Sequence, residues 1–381
     1  MSRPMRVLSV LSSSNQMYSG IGRAVFELSS RLSNRIEFEF VIDDLNEKNG
    51  ELVRSFALPL GIPVHVGRGT KRAEALDNGN DDLPDLLRRG TWDAIECVCW
   101  ANSATNSSVL AHCGEMAVIY TPHDQPAWTV PMGPGQAEFT ERVHRAMIRR
   151  SDLVLCDSTW ERGEIRHRAP DRNNATFMPL GCNFREFLPG PRSRKLQIVF
   201  VGDFNEPRKR FDRVIAVMER LRPAWPELRL VVIGNKSESA ESRLPACIRP
   251  SCDLRGYVSQ DVLRSTYAES AGVILLSDFE AFGIPILEAL ACGTPVFLSQ
   301  LDATLSLFGN YKAANFCPPD DLEATVKIVE DVLRRGEASI TEAVADRPRL
   351  QAQFDWDHLA EAKWRAVSAA WYRRNCWSWT A

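Results

Sequence analysis

In the stretch SDFEAFGIPILEALACGTPVFLS, residues 277–299, Glu280 and Glu288 stand eight positions apart on either side of a turn made by Phe282, Gly283, Ile284 and Pro285. Pro285 suits the first turn of a helix and Gly293 its end, so Glu280 precedes the helix and Glu288 lies one turn inside it. The first amides of a helix have no partner within it, and the N–H groups of Gly283 and Ile284 can therefore face an anion such as a phosphate. Two carboxylates so placed can accept hydrogen bonds from different hydroxyls of one ligand. The plainer reading makes Glu288 a solvated helix residue and Glu280 a charge that favours the helix dipole.

Four further groups could take part in such chemistry. Gly20 and Gly22 in YSGIGRAVFELSSRL (18–32) would let the backbone approach a phosphate, although a Gly-x-Gly is weak evidence by itself. Arg208, Lys209 and Arg210 form a basic cluster that reads either as phosphate ligands or as an exposed patch. VIYTPHDQPAW (118–128) ends a strand at His123 and Asp124, where an imidazole could hold a sugar hydroxyl, move a proton, or be an ordinary loop residue. Trp128, in the Pro/Gly-rich stretch that follows, suits either stacking on a sugar ring or loop packing. RVHRAMIRR (142–150) carries four arginines and no acid. It reads as a solvated helix face, or as a contact with anionic lipid headgroups or a pyrophosphate-linked acceptor.

These residues must be held by a scaffold, and the chain alternates strand-like and helical patterns almost throughout. Apolar runs at 6–12, 37–43, 62–66, 94–100, 116–121 and 152–157 are followed, after a Pro/Gly/Arg-rich segment from Gly181 to Lys195 that reads as a linker, by runs at 196–203, 228–235, 271–278 and 294–300. Such alternation predicts α/β architecture, with two doubly wound parallel sheets covered on both faces. The expected domains are 1–185, 186–355 and a C-terminal helix, 356–381, packing back toward the first. A helix with Asp320 or Asp321 as its cap and a long helix over 354–374 carrying Trp364 and Trp371 complete the reading.

The chain has 381 residues, 44% hydrophobic and 25% charged, with a formal net charge of −3. That is room for two cores in an ordinary globular composition. Residues 1–190 hold 21 basic and 24 acidic side chains and the remainder 25 of each, which argues against nucleic acid as a partner. The apolar stretch in MSRPMRVLSVLSSSNQ is too short for a span or a secretory signal, so a cytoplasmic protein, or one peripheral at the inner membrane, is expected. Ten scattered cysteines lack zinc-site spacing and read as reduced, buried thiols.

The EAFGIPILEALACGTPV segment resembles the E-x7-E element of retaining glycosyltransferases of GT-B family 4, the glycosyl transferases group 1, often written Glu-Gly-Phe-Gly where this chain has EAFG. Segments 18–32, 151–165, 178–189, 201–221 and 252–278 resemble the same family in the same order, the last as its nucleotide-side loop. Lys209 stands at the Lys of the family's Lys-Gly-Phe/Val-Asp run, with Arg210 replacing the Gly. Asp203 stands where members often have Arg after the strand glycine, so Arg208 is the arginine available to take over.

The resemblance implies two Rossmann-like domains facing across a cleft, and retaining hexosyl transfer (mannose or glucose type) from a nucleoside diphosphate sugar to a saccharide, lipid-linked or glycosylated-metabolite acceptor, as in polysaccharide biosynthesis. Glu280 and His123 are implied at the donor sugar, Glu288 at the ribose, Gly20, Gly22, Arg208, Lys209, Phe282, Gly283 and Ile284 at the donor, and Asp124 and Trp128 at the acceptor, with no cofactor and no metal. GDP-mannose is favoured slightly over UDP-linked glucose, galactose or N-acetylglucosamine. A nicotinamide-dependent oxidoreductase would need a third glycine after Gly20 and Gly22, which is missing. A non-catalytic nucleotide-sugar binder on the same fold is the other alternative.

Overall fold

The computed structural model describes residues 3–11, 20–43, 47–67, 83–99, 103–123, 134–234 and 244–376. The chain forms two compact units, Met1–Leu180 with Trp356–Ala381, and Gly181–Asp355.

The first unit is built on a seven-stranded parallel sheet in the order β3-β2-β1-β4-β5-β6-β7. Its strands are β1 Met5–Val10, β2 Ile36–Asp43, β3 Val64–Gly67, β4 Ala94–Val98, β5 Ala117–Thr121, β6 Leu153–Cys156 and β7 Ala175–Phe177. The central strands β4, β5 and β6 are buried along their whole length, which is why they are continuous apolar runs in the sequence. Helix Trp356–Cys376 packs on helix Gly20–Leu32 and on β5 and β6. Its Lys363 Nζ lies 2.5 Å from Oε1 of Glu96 on β4, both residues being buried, and Ser9 on β1 donates to the other carboxylate oxygen.

The second unit holds a six-stranded parallel sheet, β10-β9-β8-β11-β12-β13. Its strands are β8 Lys195–Val201, β9 Arg229–Ile233, β10 Cys252–Gly256, β11 Ser270–Leu275, β12 Val296–Ser299 and β13 Ala314–Cys317. Helices Phe211–Leu221 and Leu322–Arg335 pack together over its apolar core, which includes Ile198, Phe200, Val214, Met218, Leu230 and Val329. Asp321 caps the second of these helices, its side chain accepting from the N–H of Ala324.

In three places the chain departs from the sequence expectation. Residues 252–256, read as the start of a loop, form strand β10. The Gly181–Lys195 segment is fixed within the second unit: Arg347 Nη2 donates to Phe184 O and Phe187 O, and Arg194 Nη2 to the carbonyls of Cys292 and Gly293. The helix expected over 354–374 runs over Trp356–Cys376, starting two residues later because a separate helix, Glu337–Phe354, ends at Asp355, whose backbone is extended (φ −71°, ψ 133°). The adjoining Trp356 is fully buried, while Trp364 and Trp371 are half-buried. Among the described residues nine cysteines are free thiols, of which Cys247 is exposed and Cys252 half-buried rather than buried. Among the described residues no helix is long and apolar enough to cross a membrane.

Candidate functional site

Ligands of open parallel sheets collect outside the carboxyl ends of the strands, where the order reverses and loops part to opposite faces. In the second unit that point lies between β8 and β11. The two loops leaving these strands carry Lys209 and Glu280.

Strand β8 runs through Gly202 into a short 3₁₀ turn, Pro207–Lys209. After β11 the chain passes through Ser277, Asp278, Phe279 and Glu280 to Gly283, which caps helix Ile284–Ala291 in the left-handed region (φ 85°, ψ 64°). A side chain at 283 would be strained there and would also meet Ile286 Cδ1 at 2.6 Å. The Lys209 ammonium donates to Glu280 Oε1 at 2.5 Å, and Ser277 Oγ donates to the same oxygen at 2.9 Å. Arg208 Nη1 stands 3.8 Å from Oε2 and donates to Phe279 O. Glu280 is 6% exposed, and burial alone would raise its pKa. The Lys209 and Arg208 charges, with the two hydrogen bonds, outweigh that effect and hold the carboxyl below its ordinary value of 4.5.

Glu288 is 2% exposed, which excludes the solvated reading, and accepts a hydrogen bond from the hydroxyl of Tyr267 on helix Gln260–Glu269 at 3.1 Å. Ile284 opens the helix as expected, but the Phe282 side chain is 2% exposed and meets Phe308 and Phe354 edge to face at 5.8 Å. It belongs to the core, not to a ligand surface. Beside the same strand ends lies a pocket of about 320 Å³, lined by residues including Arg210, Arg213, Leu276, Ser299 and Pro318.

Three adjacent strands end in glycines that bring backbone against backbone. Gly202 N–H donates to Ile233 O at the end of β9, and Gly234 N–H to Gly256 O at the end of β10. Gly234 has φ 143°, and a Cβ on it would fall 2.1 Å from the carbonyl oxygen of Gly202. Tyr257, directly after Gly256, is 80% exposed.

In the first unit the order reverses between β1 and β4. The helix after β1 begins at Gly20, with Gly22 buried in its first turn. His123 follows β5 and is 6% exposed, its Nδ1 3.1 Å from Oδ2 of the buried Asp157. A carboxylate only accepts, so this contact puts the imidazole proton on Nδ1. Asp157 is itself placed by the start of helix Thr159–Arg168: Ser158 caps it by accepting from Glu161 N–H, and Glu161 reaches back to accept from Asp157 N–H at 2.6 Å. Asp124 and Trp128 lie outside the described residues. The arginines of 142–150 are engaged within the unit: Arg145 with Glu141, Arg149 with Asp171, Arg150 with Gly114 O, and Arg142 over the Phe139 ring.

Among the described residues only Cys99, His123 and Arg210 are non-glycines with positive φ. Cys99 and His123 sit just beyond the carboxyl ends of β4 and β5, and Arg210 closes the turn that leads from β8 into helix Phe211–Leu221, places where held strain is a marker of function. Sequence reading found His123 but passed over Cys99, and took Arg210 as part of a basic cluster standing where the family has a glycine. It also missed Ser277, Tyr267 and Asp157, which hold Glu280, Glu288 and His123; Ser277 is three residues from its partner, and nothing in local sequence announces the other two contacts, across 21 and 34 residues.

With this geometry in hand, two family models match the chain, one described as glycosyl transferases group 1 over residues 186–343 and one as a glycosyl transferase 4-like domain over 19–181. The chain belongs to the group 1 glycosyltransferases of the GT-B fold. Among curated relatives of this group, it is 28% identical over 243 residues to a glycogen synthase of Mycobacterium tuberculosis (61% of this chain, 58% of the relative). It is 26% identical over 253 residues to a GDP-mannose-dependent alpha-(1-6)-phosphatidylinositol dimannoside mannosyltransferase of the same organism (63% of each chain). The chain spans between about half and three-fifths of the length of the curated relatives it matches. Among solved glycosyltransferase folds, sucrose-phosphate synthase from Thermosynechococcus elongatus superposes with a TM-score of 0.77 at 17% identity, over 96% of this chain and all of that one.

Proposed function

We propose that this group 1 glycosyltransferase moves a hexosyl group, with retention of anomeric configuration and without a divalent metal, from a nucleoside diphosphate sugar to a saccharide, lipid-linked or glycosylated-metabolite acceptor. The observation that carries the reading is the buried contact of Lys209 with Glu280 at the β8/β11 switch point.

Breaking the anomeric C–O bond places positive charge on the sugar ring and negative charge on the departing diphosphate. Lys209 and Arg208 supply fixed positive charge for the diphosphate, and the free amides at Gly283 and Ile284 supply dipoles. Ionised Glu280, already held by Lys209 and Ser277, accepts from donor sugar hydroxyls instead of attacking carbon. Glu288, oriented by Tyr267, accepts from the ribose, and Tyr257 stacks on the base. A phosphate oxygen of the leaving group takes the acceptor proton on the same face, which accounts for retention. In the first unit, the helix start at Gly20–Gly22 is assigned to phosphate, and His123, with its Nδ1 proton on Asp157, to a sugar hydroxyl through Nε2.

The test is release of nucleoside diphosphate from GDP-mannose, UDP-glucose, UDP-galactose, UDP-N-acetylglucosamine and ADP-glucose, with EDTA and a panel of saccharide and lipid-linked acceptors. One donor is expected to turn over, and Glu280→Ala to abolish most of it. A donor that raises the melting temperature but is never cleaved leaves the non-catalytic alternative. Turnover unchanged by Glu280→Ala removes Glu280 from the site.

A further inference from the structure

We propose that Arg210 is a positioning residue: through Asp278 it sets the separation of the two loops that carry Lys209 and Glu280, without touching substrate. This rests on the reading of Lys209 and Glu280 given above.

Arg210 joins the Pro207–Lys209 turn to helix Phe211–Leu221 with φ 45° and ψ 50°. Glycine enters this left-handed region freely and arginine does not. A glycine would serve the backbone better, so the reason for an arginine lies in its side chain. Nε donates to Asp212 Oδ1 at 3.0 Å and Nη2 to Asp212 Oδ2 at 2.8 Å, a two-pronged grip that fixes the guanidinium plane. The remaining Nη1 donates to Asp278 at 3.1 and 3.3 Å.

Asp278 belongs to the other loop, between Ser277 and Glu280. Its N–H donates to Arg208 O at 2.8 Å, and Arg213 Nη1 reaches its carboxylate at 2.7 Å while donating to Leu276 O. Residues 208, 210 and 213 thus meet 276 and 278 around one carboxylate, beside the buried Lys209–Glu280 contact. The Arg210 and Asp278 side chains are 31% and 48% exposed, so water screens their attraction and the pair adds little to overall stability. What it supplies is registry between two loops whose charged tips must meet a diphosphate and a sugar together.

The test uses full-length Arg210→Gly, Arg210→Lys and Asp278→Asn and the double variant Arg210→Gly/Asp278→Asn, followed by amide hydrogen exchange over residues 277–283, thermal melting and donor kinetics. Arg210→Gly is expected to keep its melting temperature within a few degrees while exchange in 277–283 rises about tenfold. Its kcat should fall about ten- to a hundredfold with a smaller change in donor KM, the mark of misplacement rather than lost binding. Arg210→Lys should recover part of the loss, and the double variant should be no worse than either single one. Wild-type exchange and kcat in Arg210→Gly, or additive losses in the double variant, would overturn the proposal. If the wild-type chain cleaves no donor, the functional reading fails, while the exchange measurement still decides the clasp.

Discussion

The ammonium of Lys209 sits 2.5 Å from Oε1 of Glu280 although 71 residues separate them in the chain, and neither side chain is more than 11% exposed. Each loop brings a charge that the other loop must neutralise. Lys209→Met leaves Glu280 buried with only the more distant Arg208 opposite. It should cost about 3–5 kcal/mol in urea unfolding, and Lys209→Met/Glu280→Gln should recover much of it. A loss below about 1 kcal/mol is what a solvent-screened pair gives, and would refute burial of this one.

Acid should reveal the same pair. Because the folded carboxyl of Glu280 titrates below its ordinary 4.5, its contribution is complete above that value and is lost as pH falls through the lower folded pKa. The melting-temperature gap between wild type and Glu280→Gln should hold constant from neutral pH to about 5 and close below about 4.5. A gap that closes on raising the pH reverses the sign and contradicts the assignment.

Gly234→Ala tests the glycine ends of β8, β9 and β10. A Cβ 2.1 Å from a carbonyl oxygen in rigid backbone cannot be accommodated by a rotamer change. The expected loss is more than about 2 kcal/mol, measured by denaturant titration. A variant as stable as wild type would show that these strand ends are farther apart than described.

Tyr257→Ala tests the proposed base platform. Removing an 80% exposed ring should leave the melting temperature unchanged. Affinity for the nucleoside diphosphate, read by calorimetry, should fall about tenfold or more if the ring stacks on the base. Equal affinity would assign the base elsewhere.

Legibility in the sequence followed burial. Strands such as β4, β5 and β12, buried at every position, stand out as apolar runs. The edge strands β7, β10 and β13 are short and partly exposed, so ATF, CDLRG and ANFC carry no such signal. Helix Glu337–Phe354 escaped notice for a related reason: Pro348 lies inside it and its apolar residues form no strong stripe. The site divides in the same way. Glu280, Glu288, Arg208 and Lys209 sit in local patterns with recognisable spacing. Asp278 and Tyr267 are ordinary residues until the fold brings them to their partners.

The return of helix Trp356–Cys376 to the first unit has a consequence for synthesis. Until Lys363 has been made, Glu96 lacks that ammonium on a strand synthesised more than 250 residues earlier, whereas everything the second unit requires has been made by Asp355. The unit begun first is therefore finished last, and a released chain ended after Asp355 should present one protease-resistant body and one still open to cleavage.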